Sequence, residues 1–108
     1  MKYKNDLENI LKFYGADNQY REFNSEVGEL AIELADFLTP DYLKEKRKIL
    51  PKDELHENLK TEFADVLIML GQMMILTGVG QEEVDDEIRW KIHRQKLRIR
   101  QKRLELQK

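Results

Sequence analysis

Two short patterns in this 108-residue chain place acids at a spacing that can do chemistry: Glu26-Val-Gly-Glu29 and Glu62-Phe-Ala-Asp65. In each, two carboxylates stand three residues apart. On a helix that spacing is about 300° of rotation and roughly 4.5 Å of rise, so both acids of a pair share one face. If the two helices pack antiparallel, four carboxylates meet across one groove. Two unit charges about 4 Å apart repel by about 4 kcal/mol at an effective dielectric of 20. Acids so placed require counter-charge, and a hard divalent cation with oxygen ligands supplies it. Mg²⁺ suits the donors best, with Mn²⁺ as a substitute, because it takes a few carboxylates and keeps positions for phosphate and water.

A cationic stripe complements the acids. Lys91, Arg94 and Arg98 are spaced three and four apart on one helical face, with Arg89 and Lys102 near its ends. Guanidinium forks hold phosphate oxygens bidentately. Carboxylates, Mg²⁺ and a basic stripe together point to phosphoryl chemistry on a polyphosphate.

Four helical segments must position these groups. The first runs from about residue 5 to 14, with Leu7, Ile10, Leu11 and Tyr14 on one face and Gly15 as its stop. The second follows Asp17-Asn18, either of which can cap it, and ends at about Leu38 because Thr39 precedes Pro40. A linker over 39–52 has a basic, solvated middle with room for one short helical turn. The third helix starts at Pro51 and Asp53 and runs to about Leu76, where Gly78 and Gly80 close it. The fourth runs from about Gln81 through Leu106.

The second segment carries two stripes. Phe23, Val27, Leu30, Leu34 and Phe37 form an apolar seam, and Glu22, Glu26, Glu29, Glu33 and Asp36 repeat the same spacing one residue earlier. No lysine interleaves the acids, as a solvated face would usually have for i, i+4 pairing. Glu33 and Asp36 read as solvated or as paired with a base on the last helix, with a further-ligand or water-orienting role as the lesser alternative for Glu33, and Gln19 either as reaching a base or as an exposed polar residue. The third segment is apolar nearly all round from Phe63 to Leu76, yet Asp65 lies inside it. A buried carboxylate is expensive unless it is paired, metal-bound or protonated. Met69, Met73 and Met74 read as core or subunit interface, Trp90 as packing, with stacking on a nucleobase as the lesser alternative, and His56 and His93 as surface residues.

Composition narrows the classes. There is no cysteine, which excludes a disulfide scaffold, a thiolate zinc site and a cysteine nucleophile. Only five glycines and two prolines accompany 37% charged residues, a balance that favours long helices over many short strands. Residues 89–108 hold nine Lys/Arg against one acid, a net of +8; residues 1–88 hold ten against twenty, a net of −10. The opening Met-Lys-Tyr-Lys-Asn-Asp has no apolar segment behind its charges, so a soluble cytoplasmic protein without membrane association is expected.

These residues resemble the MazG-like superfamily of all-α nucleoside triphosphate pyrophosphohydrolases, relatives of the dimeric dUTPases. The family's signature is an E-x-x-E pair, an E-x-x-D pair on the next helix and a later Lys/Arg segment. Here Glu26 and Glu29, Glu62 and Asp65, and Lys91 with Arg94 match it, over about residues 17–100. Two departures are visible: a long interval between the acid pairs, and the absence of an asparagine before the lysine. The resemblance implies a single domain over 1–108, folded as a four-helix up-down bundle and assembled as a homodimer or a dimer of dimers. It implies Mg²⁺ on Glu26, Glu29, Glu62 and Asp65, which are both metal ligands and catalytic residues. It further implies a nucleoside triphosphate cleaved between the α and β phosphates, leaving a monophosphate and pyrophosphate.

Two other classes compete. A carboxylate-bridged di-iron bundle needs a Glu-x-x-His on each of two helices, and this chain lacks them. A helical interaction or nucleic-acid-binding module would use the basic last helix. That reading accounts for residues 89–108 and leaves Glu62 and Asp65 without a purpose.

Overall fold

The structure is a computed structural model that describes residues 1–107. It is all-α, with five helices: α1 (Lys4–Tyr14), α2 (Ala16–Leu38), α3 (Asp41–Arg47), α4 (Lys52–Thr77) and α5 (Gln81–Leu106). The four-helix bundle expected from the sequence is therefore not the architecture. The segment between the two prolines folds as a further helix, and the chain divides into two compact units. One spans Lys2–Thr77, and the other is built on α5 and begins at Gly78. Among the described residues no single helix is long and apolar enough to cross a membrane.

Within the first unit, Gly15 sets the first corner. Its φ of 89° is open to glycine and strained for other residues, and its N–H donates to the Leu11 carbonyl at 2.9 Å. The chain re-enters a helix at once: α2 starts at Ala16, so neither Asp17 nor Asn18 caps it. The Asn18 side chain instead donates back to the Tyr14 carbonyl at 2.8 Å. α2 ends at Leu38, where Pro40 forbids continuation.

α3 owes its existence to Lys44. Pro40 accepts from the Leu43 and Lys44 backbone N–H groups, which opens the turn. The Lys44 side chain is only 4% exposed, because its ammonium reaches back over the end of α2. There Nζ donates to the Phe37 carbonyl at 2.9 Å and also to the Thr39 carbonyl. A lysine expected to be solvated is thus the cap on the last turn of α2, satisfying carbonyls that a helix end leaves orphaned. Lys48 in the left-handed region closes α3, and Pro51 starts α4 by accepting from the Leu55 N–H at 3.0 Å.

α4 packs chiefly against α2, and α1 packs against both. Leu7 of α1 and Leu55, Leu59 and Met69 of α4 form the buried apolar centre. Each such side chain contributes about 1.5–3 kcal/mol relative to exposure. Phe23, Leu30, Leu34 and Phe37 of α2 are half-buried, while Val27 stays exposed. In the second unit α5 is continuous. The Gly80 N–H donates to Glu83 at 2.7 Å at its start, and none of its residues is buried.

Candidate metal centre

The register of α2 on α4 can be read from two cross-groove contacts. The Gln19 amide donates to the Gln72 carbonyl oxygen at 2.7 Å, and Glu26 meets Asp65 and Glu62. Moving seven residues forward on α2 moves seven back on α4, so the helices run antiparallel. That arrangement brings acids from both pairs together.

Glu26, Glu62 and Asp65 each offer a carboxylate oxygen, and these oxygens all lie within 4.8 Å of one another. All three residues are half-buried. Glu29, expected in the same set, is exposed and is not part of this tight group, although its charge acts on both glutamates. One turn further, Glu33 is half-buried and its charge also acts on Glu62, a placement that departs from the solvated and ion-paired readings and is compatible with the further-ligand alternative.

The electrostatics follow from crowding without cations. Desolvation, then the charges of Glu29, Asp65 and Glu62, push the Glu26 carboxyl from its ordinary 4.5 to about 7. Desolvation and the charge of Glu29 raise Glu62 as well. The described ion pairs are Lys4–Glu8, Lys44–Asp41, His56–Glu57, Lys60–Glu57 and Arg89–Asp86, and none touches the cluster. One buried oxygen each of Glu26, Glu33 and Glu62 has no hydrogen-bond partner in the protein. Buried acceptors left open on hard oxygen donors fit a divalent cation, which would satisfy the lone pairs and remove the repulsion together. The cluster can hold such an ion.

The basic stripe forms its own feature. Lys91, Arg94 and Arg98, with Gln95, line an open hollow of ≈ 220 Å³ on α5. None of the three is ion-paired among the described residues, so their donors are available to an anion. Trp90, expected to pack, is 58% exposed, its ring stacked on His93 at 6.1 Å.

The sequence reading missed the glutamines. Gln19 is buried, neither exposed nor free to reach a base, and Gln72 is wholly buried. The signal was present: Gln19 lies seven residues before Glu26 and Gln72 seven after Asp65, the mirrored offset an antiparallel pair demands.

No protein-family model matches the chain, and no curated protein or solved structure matches it either.

Proposed function

We propose that the chain is a Mg²⁺-dependent nucleoside triphosphate pyrophosphohydrolase of the MazG-like type, cleaving between the α and β phosphates. The observation that carries this reading is the group formed by Glu26, Glu62 and Asp65. Three carboxylates drawn from both acid pairs converge on one point with no basic partner. A structural role would tolerate one unpaired acid in such a place and would not select three.

In this reading Glu26, Glu62 and Asp65 hold the cation, and Glu29 stands beside them as a further acidic group. When bound, the ion polarises the phosphoryl group and makes a water acidic enough to serve as nucleophile. The chain's own contribution is placement. α2 and α4 fix the carboxylates on rigid helices, and Lys91, Arg94 and Arg98 bind phosphate oxygens through charge-assisted hydrogen bonds. No side chain forms a covalent intermediate.

Self-association belongs to the same reading. Phe63, Leu67, Ile68 and Leu70 remain exposed on α4, Leu67 at 63%, in a helix whose sequence is apolar on nearly every side. A second copy covers such a surface.

The deciding experiment is a panel of ribo- and deoxyribonucleoside triphosphates with Mg²⁺, assayed for pyrophosphate release. Release from at least one member, lost on chelation, is the expected result. Silence across the panel overturns the activity. Binding of nucleic acid by an intact α5 with no stabilisation by Mg²⁺ would favour the interaction-module reading instead.

A further inference from the structure

The register that gathers the acids is one that the acids themselves oppose. Glu26, Glu62 and Asp65 repel, so they do not select it. The apolar seam does not select it uniquely either, because Phe23, Val27, Leu30, Leu34 and Phe37 recur at helical spacing and present a similar row after a slip of one turn. Something else must choose, and the buried amides are the discriminating contact in the groove.

Gln19 is 5% exposed and Gln72 is 0% exposed, and they bond to each other at 2.7 Å. The Gln72 oxygen accepts that bond, and the Gln72 amide nitrogen donates to the Met69 thioether at 3.7 Å, a weak acceptor. A slip of four residues one way would set Gln72 against Phe23 and Gln19 against Leu76. The opposite slip would set Gln19 against Ile68. Either would bury amides without partners, a state folded proteins avoid. Either would also take Glu26 away from Asp65, setting it against Met69 or Thr61. A buried polar pair that specifies register at some expense in stability is a known device between packed helices.

We propose that the Gln19–Gln72 pair is a positioning device that holds α2 and α4 in the one register placing Glu26, Glu62 and Asp65 together. It acts through those carboxylates and touches neither metal nor substrate. The functional half of the proposal rests on the metal-site reading; the register half does not.

The test replaces both amides with apolar groups, Gln19→Leu/Gln72→Leu, with Gln19→Met/Gln72→Met as a second variant closer in shape. Mn²⁺ affinity is read by titration of the free ion's resonance signal. Register is read separately: the chain has no cysteine, so Arg21→Cys and His56→Cys, both exposed, carry spin labels cleanly. In the observed register Leu70 is level with Arg21, so the two labels stand about 21 Å apart along the axis and a slip of the helices changes that separation directly. The expected result is a double variant as helical and as heat-resistant as the wild type. Its Mn²⁺ dissociation constant rises at least about tenfold, as when a group supporting metal ligands is lost. Its label distances broaden or shift by about 5 Å, one helical turn. The single change Gln72→Leu, which strands Gln19, should lower the melting temperature, and the double change should restore it. Unchanged label distances in both double variants overturn the register claim, and unchanged Mn²⁺ affinity overturns its link to the site. If the wild type bound no Mn²⁺, the metal reading would fall, and the label distances would still decide the register.

Discussion

Glu26 and Glu62 face each other across the α2–α4 groove, each with one buried carboxylate oxygen that no group of the protein satisfies. Desolvation and the charges of the neighbouring acids push Glu26 up to about 7 and raise Glu62 as well, so a proton and a cation compete for these oxygens.

Stability of the metal-free protein should fall as pH rises from about 4.5 to about 7. Glu26 titrates at 4.5 when unfolded and near 7 when folded, so the folded state holds the extra proton across that interval. The stabilisation is complete below the lower value and gone above the upper one, and the raised Glu62 acts in the same direction. Thermal melts across this range, with and without Mg²⁺, measure it. The shift caused by Mg²⁺ should grow with pH as the ion displaces the proton. A melting temperature flat over the interval would count against the raised Glu26 carboxyl.

Glu26→Gln and Asp65→Asn should abolish turnover and the thermal shift with Mg²⁺, while leaving helical content intact. Without metal both variants should be at least as stable as the wild type, because each removes one repelling charge. Glu29→Gln should also abolish turnover, although Glu29 lies outside the close triad. Retained activity in Glu29→Gln and Asp65→Asn would remove these carboxylates from the mechanism.

Arg94→Ala should raise KM for a nucleoside triphosphate and leave Mg²⁺ affinity unchanged. A charge-assisted hydrogen bond to phosphate is worth about 1.5–3 kcal/mol, so a rise of roughly tenfold or more is expected. Steady-state kinetics beside metal titration separate the effects, and an unchanged KM would exclude the hollow lined by Lys91, Arg94 and Arg98.

Lys44→Met should destabilise the unit over Lys2–Thr77. It strips the partner from the Phe37 and Thr39 carbonyls, and an unsatisfied buried polar group costs about 1–3 kcal/mol. Urea unfolding gives the size of the loss, and amide exchange should show residues 39–48 opening first. Stability equal to the wild type would mean that water serves those carbonyls as well as the ammonium does.

Sedimentation should give a mass larger than one chain, and Leu67→Lys should shift it toward the monomer without loss of helix. Leu67 is largely exposed and far from any role in the core, so only an interface would register the change. A monomeric wild type at micromolar concentration would refute self-association.

Much of the local structure was legible from residue order. Gly15, Thr39-Pro40, Pro51 and Gly78 mark real helix boundaries, because φ restrictions and missing donors act on the chain wherever it goes. The segment 39–52 was only partly legible. α3 forms because Lys44 finds carbonyls seven and five residues back, a contact that exists only once α2 has ended beside it.

The candidate site divides along the same line. Spacing by itself determined that Glu26 and Glu29 share a face, that Glu62 and Asp65 share another, and that Lys91, Arg94 and Arg98 form a stripe, since helical periodicity is a local property. Which acids actually converge was decided by tertiary structure. The antiparallel register brings Glu26 to Glu62 and Asp65, leaves Glu29 in solvent, and buries Gln19 on Gln72. Periodic rows of similar residues permit several alignments, and only side-chain packing and amide pairing across the groove distinguish one from the next.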